Sequence, residues 1–166
     1  MPCRSWMPDV LIRNPAAASP ALTGKDDYFL RIIADGEQEQ RAIARFVQTL
    51  PGKRLLVLQD DGNLPYTDPA FAFFSEEMGK QAAWQLVCRK LTVAKFQPQE
   101  FADLMAEPFD ALYILAGSFQ AAIGNIAQLF HYHHPNAPIL LTPWSRSPAI
   151  LETAGPAISQ MILPSQ

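Results

Sequence analysis

The sequence predicts an α/β fold: a doubly wound, mainly parallel sheet with helices on both faces. Short apolar runs alternate with segments of helical periodicity, and the joints between them are rich in Gly, Pro, Asp and Ser. The organising unit is Arg54 to Met78, RLLVLQDDGNLPYTDPAFAFFSEEM. Leu55-Leu56-Val57-Leu58 is wholly apolar, which suits a parallel strand covered on both faces. Asp60-Asp61-Gly62-Asn63 stops it with turn residues. Asp68-Pro69 then predicts a helix start, Asp capping free N–H groups and Pro fitting the first turn. Tyr66 falls in the intervening loop, beyond the carboxyl end of a strand, where open α/β sheets hold ligands; it is the first candidate contact.

The other elements follow in chain order. Val10 to Arg13 and Tyr28 to Ile33 read as strands by their β-branched and aromatic content. Between them, Pro15 to Thr23 (PAAASPALT) is a small-residue loop, either a linker or a place where a ligand meets the backbone closely. From Glu37 to Leu50, the residues Ala42, Ile43, Phe46, Val47 and Leu50 recur at helical spacing, with Glu37 and Glu39 in the first turn where they complement the dipole. Pro51-Gly52 ends that helix. In the helix after Asp68, Phe71, Phe74 and Met78 form the buried stripe, with Phe73 beside them as core. Trp84 to Val93 is a strand, Pro98 to Ala106 a short helix, and Ala111 to Ala116 a buried strand. Gly117-Ser118-Phe119 turns that strand into a helix carrying Ile123, Ile126, Ala127 and Phe130 on one face, and a Gly-Ser turn at a helix start is a fair anion site. Pro138 to Thr142 is the next strand, followed by Pro143-Trp144-Ser145, a short helix from Pro148 to Ala154 and a last apolar piece, Met161-Ile162-Leu163. The appearance is flavodoxin-like, and the ligand-facing loops are Ala16–Ser19, Asp60–Tyr66, Gly117–Phe119 and Pro143–Ser145.

Composition narrows the function. The formal charge of −3 comes with no Lys/Arg cluster, which argues against a nucleic-acid partner. No apolar run approaches the ~20 residues needed to span a bilayer. The start, MPCRSWMPDVLIRNP, lacks the pattern of a signal peptide. Cys3 and Cys88 have no partner motif, and Cys88 sits in an apolar stretch that suits a buried thiol. His131, His133 and His134 do not share one helix face and read as a solvated helix end, so no metal is expected. Asp60-Asp61 lacks the later acceptor Asp of receiver-type folds, there is no GxxxxGK or GxGxxG, and no nucleophile has an arranged base. No catalytic residue and no cofactor are therefore expected.

PAAASPALT at Pro15 to Thr23, DYFLRI at Asp27 to Ile32, Gln40 to Ala44 opening a helix, LLVLQDD followed by Tyr66 and a Phe-rich helix, FDALYILAG at Phe109 to Gly117, and APILLTP followed by LETAGPAISQMILP occur in a telling order. In that order and spacing the chain resembles the type 1 periplasmic binding proteins, in particular the branched-chain amino-acid and amide receptors of ABC transporters. The resemblance implies a single α/β lobe over residues 9–166, after a loosely packed segment at residues 1–8. It further implies a second lobe that this chain lacks, closure around a small-molecule ligand, a membrane permease as partner and a periplasmic or extracellular location. A fragment of a longer receptor is favoured over a natural single-lobe protein, which would also account for the missing signal peptide. Residue by residue, the resemblance puts ligand contacts at Ala16 and Ala18 through backbone groups, with Ser19 beside them, and at Tyr66, Ser118, Phe119 and Trp144. Family members that bind amino acids often carry a hydroxyl at the place of Ala18 and an acid near Trp144. Here both places are apolar, which shifts the expectation from a free α-amino acid towards an aromatic or less polar ligand. The acid expected before the Gln40 helix is Asp35 or Glu37. The alternatives are a single-lobe sensor or protein-interaction module, dimerising through the face that would meet the second lobe, and a cytoplasmic flavodoxin-like enzyme or regulator.

Overall fold

The computed structural model describes residues 12–13, 29–30 and 35–164. Ala16, Ala18, Ser19 and the segment 1–8 lie outside the described residues. The strands are β1 (Ile12–Arg13), β2 (Phe29–Leu30), β3 (Arg54–Asp60), β4 (Gln85–Leu91), β5 (Ala111–Leu115), β6 (Ile139–Leu141) and β7 (Met161–Ile162). The helices are α1 (Gly36–Thr49), α2 (Leu64–Gly79), α3 (Pro98–Ala106), α4 (Ala122–His133) and α5 (Pro148–Ala154). β1 pairs with β2 in a small parallel sheet.

The main sheet has five strands, all parallel, in the order β4-β3-β5-β6-β7. Counted within this sheet, the order is 2-1-3-4-5, the flavodoxin-like winding expected from the sequence. Between β3 and β5 the winding reverses, and the crevice at their carboxyl ends is the place such a sheet offers a ligand.

Alternation along each strand sorts the core onto two faces. Leu55, Val57, Tyr113 and Leu115 meet Ile43, Val47, Phe74 and Met78 of α1 and α2. Leu56, Leu58, Leu112, Ile114 and Leu141 meet Met105, Ile123, Ile126, Phe130 and Ile150 of α3, α4 and α5. Residues 111–115 are all buried, as a doubly covered strand requires. At full burial, each such Leu, Ile or Phe stabilises the fold by about 1.5–3 kcal/mol.

Two local devices set the frame. The Asp110 carboxylate accepts from the backbone N–H groups of Lys53 and Arg54 at 2.8 and 2.9 Å and fixes where β3 begins. Gly52, at φ 151°, precedes it with Trp84 and Asp110 so close that any Cβ would collide with both. On the outer side of α1 and α2, Glu77 accepts from Arg45 (2.9 Å), Lys80 (2.6 Å) and Arg41 (3.2 Å), which clamps the two helices together.

The sequence reading of α2 needs correction. Asp61–Asn63 form a turn of 3-10 helix and α2 begins at Leu64, so Asp68-Pro69 lies inside the helix and Tyr66 in its first turn. Pro65 takes the early position that suits proline, whereas Pro69 lies inside the helix and gives up the backbone bond to the Pro65 carbonyl. Asp68 does not cap: its carboxylate accepts from Gln59 Nε2 at 2.7 Å and Lys90 Nζ at 3.1 Å. The histidines differ from a solvated helix end as well. His131 is paired with Gln160, and His134 Nε2 lies 2.8 Å from the Met105 carbonyl.

Candidate functional site

The carboxyl ends of β3, β5 and β6 converge on a cavity of about 530 Å³. The loop and helix start after β3 contribute Asn63, Pro65 and Tyr66, the loop after β5 contributes Gly117 and Phe119, and the turn after β6 contributes Trp144. Pro69, Ala70 and Phe73 of α2 extend one wall, and Gly36 at the start of α1 closes another. The position is the winding reversal, and the lining is predominantly apolar and aromatic.

Each side chain is held there by its own backbone chemistry. The Thr67 hydroxyl donates to the Asp60 carbonyl at 2.8 Å and ties the first turn of α2 to the end of β3, which places Tyr66. The buried Asp60 carboxylate accepts from the N–H groups of Gly62 and Val93, both at 3.1 Å, and so fixes the turn before α2. Thr142 donates to the Ala116 carbonyl at 2.5 Å, while the Ser145 N–H donates to the Thr142 carbonyl at 3.0 Å; the two bonds set the turn that presents Trp144. The Trp144 ring meets Tyr66 edge-on, with centroids 6.3 Å apart and planes at 85°.

Gly117 has a different task from that expected of it. A Cβ there would lie 2.7 Å from Tyr66 Cδ1 and 2.8 Å from Asn63 Nδ2, so the glycine lets the tyrosine ring pack against the backbone. The anion site expected at the Gly-Ser turn is not formed by a helix start, because α4 begins only at Ala122 and has no side-chain cap.

Behind Tyr66 runs a chain of buried polar groups. The Tyr66 hydroxyl donates to Glu39 Oε1 at 3.0 Å, Gln40 Nε2 donates to the same oxygen at 3.1 Å, and the Tyr113 hydroxyl donates to Gln40 Oε1 at 2.7 Å. Burial raises the Glu39 carboxyl above its ordinary range, against the lowering effect of its bonds from Tyr66 and Gln40. Burial likewise pushes the Tyr66 hydroxyl up, with Tyr113 and Glu39 adding to the effect and the Trp144 indole opposing it; it does the same to Tyr113. The phenols stay neutral and act as donors.

Of the expected contacts among the described residues, Tyr66, Phe119 and Trp144 line the cavity together. Ser118 sits between the lining residues Gly117 and Phe119, its hydroxyl buried. Two residues of the site escape the sequence reading. Phe73, expected in the core, instead lines the cavity, with the Arg41 guanidinium 5.7 Å from its ring centre. Glu39 was expected only to complement the dipole of α1, while Asp35 and Glu37 were the acids expected to matter. Asp35 caps α1 by accepting from the Gln38 N–H at 2.9 Å, Glu37 pairs with Arg41, and Glu39 is the acid that reaches Tyr66. The available signal was its place four residues before Ile43 and eight before Val47, on the buried face.

No family model matches the sequence, and no curated protein does. Solved structures do match. A leucine binding protein, LivK, of Thermotoga maritima superposes with a TM-score of 0.74 at 21% identity, covering 88% of this chain and 41% of that one. The chain has the type 1 periplasmic-binding fold. The LivJ substrate binding protein of a branched-chain amino acid transporter from Streptococcus pneumoniae, in complex with isoleucine, gives 0.71 at 17% identity, covering 89% and 41%. An ABC-transporter solute binding protein of Rhodopseudomonas palustris BisB5, holding 3,4-dihydroxybenzoic acid, gives 0.56 at 19% identity, covering 71% and 32%. This chain thus spans about two fifths or less of the length of these type 1 proteins. All three are binding proteins by name. Among the described residues no helix is long and apolar enough to cross a membrane.

Proposed function

We propose that this chain is a non-catalytic solute-recognition lobe, the ligand-side half of an extracytoplasmic receptor for an ABC-type uptake system, which works by closing around a small molecule. One observation carries the reading: the apolar, aromatic cavity lies at the carboxyl ends of the strands where the winding reverses, and three of the expected contact residues meet in it. In this reading Tyr66, Ser118, Phe119 and Trp144 form one wall of the ligand site, and Ala16, Ala18 and Ser19 add backbone contacts. A second lobe supplies the opposite wall, and the closed pair is what the membrane permease recognises. The likeness to binding proteins for leucine and isoleucine supports a small-molecule ligand.

A lobe lacking the facing wall binds weakly, because it buries only part of its ligand. The test is a fragment screen on this chain by ¹H–¹⁵N spectroscopy, repeated on Trp144→Ala and Tyr66→Ala with circular dichroism to confirm folding. Binders whose effects centre on Gly117–Phe119 and Trp144 and disappear in both variants are expected. Binders indifferent to both substitutions would place recognition elsewhere and overturn the reading.

A further inference from the structure

The cavity wall is aromatic, but the polar atoms of its aromatic residues are already committed. The Tyr66 hydroxyl donates to Glu39 Oε1 at 3.0 Å, and Glu39 is not part of the lining. Trp144 Nε1 is buried and acts as a donor towards that same hydroxyl. What the two rings have left for the cavity is chiefly carbon surface. The lining prolines, Ala70, Phe73 and Phe119 carry no polar side-chain atom, and Gly36 and Gly117 carry no side chain. Among the described lining residues this leaves one side chain with uncommitted hydrogen-bonding groups, that of Asn63.

Asn63 occupies the N-cap position of α2, where an asparagine oxygen ordinarily accepts from a backbone N–H two or three residues on. It makes no such bond here. Pro65, two residues on, has no N–H to give, which removes one of the two usual donors. The amide lies instead beside Gly117, with Nδ2 2.8 Å from the place a Cβ would take there. It has no hydrogen-bond partner among the described residues. Its place is nonetheless set, because the Asp60 carboxylate accepts from the Gly62 N–H at 3.1 Å and holds the turn from which Asn63 projects. Spared from the cap, the amide brings a donor group and an acceptor to the cavity wall.

Charge sorts the ligands that could use it. Among the described residues none of Asp, Glu, Lys, Arg and His is in the lining. Arg41 lies 5.7 Å from the Phe73 ring centre but is engaged by Glu37, Glu76 and Glu77, and Glu39 is engaged by Tyr66 and Gln40. A charged ligand group drawn against this wall gives up water and finds no counter-charge in its place. A neutral amide gives up less and finds both halves of its match in Asn63. Resting on the reading that this cavity binds a small molecule, we infer that Asn63 is the specificity-determining polar contact of this lobe and that the ligand class is an uncharged, largely apolar compound bearing an amide-type group. The rings of Tyr66, Phe73, Phe119 and Trp144 hold the apolar body. A compound without the amide keeps that contact and loses the bond to Asn63.

The test titrates three molecules that share a ring, benzamide, toluene and L-phenylalanine, into the ¹⁵N-labelled chain and into Asn63→Ala, whose folding is checked by circular dichroism. Two signals are followed: the Asn63 side-chain NH₂, assigned through its own backbone, and the Gly117 backbone N–H. Benzamide should move both in the parent and bind about three- to tenfold more tightly than toluene, the effect of one matched hydrogen bond. In Asn63→Ala the gap should close through weaker benzamide binding, with toluene unchanged. L-Phenylalanine, with two charges on the same ring, should bind the parent more weakly than benzamide does. If the gap persists in Asn63→Ala, or benzamide moves Gly117 and leaves the Asn63 side-chain signal in place, the cavity binds small molecules but the inference about Asn63 is overturned. It is overturned equally if L-phenylalanine binds as tightly as benzamide, or if fragments from the screen move Gly117 and benzamide does not. If no compound of either set moves Gly117, the binding reading falls and takes the inference with it.

Discussion

Glu39 is the residue whose replacement tests the site's internal logic. Its carboxylate accepts from Tyr66 at 3.0 Å and from Gln40 at 3.1 Å, and burial holds its pKa above the ordinary 4.5. The proton is therefore bound more tightly in the folded chain than in the unfolded one. It follows that Glu39's contribution to stability is fully present below about pH 4.5 and is lost as pH rises through the raised value. Glu39→Gln keeps an acceptor oxygen of the same shape and cannot ionise, so it should equal the parent in acid and exceed it at neutral pH. Glu39→Ala strands two buried donors, at about 1–3 kcal/mol each, for a total of roughly 2–6 kcal/mol. At about 2–4 °C per kcal/mol for a chain of this size, Glu39→Ala should lower Tm by about 4–24 °C. Scanning calorimetry of parent, Glu39→Gln and Glu39→Ala between pH 4 and 8 measures both effects. A difference between parent and Glu39→Gln that does not change with pH would refute the claim that a desolvated carboxyl sits behind Tyr66.

Gly117→Ala places a methyl where the Tyr66 ring packs; it should shift the Tyr66 ring resonances and weaken any ligand that moves Trp144, with stability falling by about 1–3 kcal/mol in denaturant unfolding. Gly124→Val in α4 should be worse, because a Cβ there collides with Thr153 and with the Ile150 backbone of α5; the same unfolding measurement should show a loss of about 3 kcal/mol or more. Glu77, held down to about 2 by Lys80 first, then Arg45 and Arg41, contributes stability that is present above its ordinary 4.5 and is lost as pH falls towards 2. Acid unfolding followed by circular dichroism should show a shallower decline over that range in Glu77→Gln than in the parent.

The fold was legible because its strongest constraints are compositional. A parallel strand covered on both faces has no polar side to show, so LLVL in β3 and ALYIL in β5 announce themselves as apolar runs, and both proved buried throughout. The face of α4 was equally plain from apolar residues three and four apart, whereas of the stripe expected on α1 only Ile43 and Val47 are buried, Ala42 and Phe46 being exposed and Glu39, Gln40 and Ala44 taking the inner face. The start of α2 was misread because Asp-Pro and Pro-Tyr each carry a credible helix-start signal four residues apart. What decides between them is tertiary: Thr67 binds the Asp60 carbonyl, and Gln59 and Lys90 occupy Asp68. No local pattern contains that information.

The site divides along the same line. The loops that carry Tyr66, Phe119 and Trp144 could be named because the winding puts every post-strand loop at one end of the sheet, while the choice of Phe119 and Trp144 within them came from the family resemblance. Glu39 and Phe73 lie on helices, where position around the axis matters. A glutamate in a first turn has an adequate surface explanation in the helix dipole, which hid its burial, and a phenylalanine among phenylalanines has one in the core. Alternation of strand and helix locates a cavity of this kind from sequence, whereas the polar chain behind its wall, from Tyr66 through Glu39 and Gln40 to Tyr113, emerges only in three dimensions.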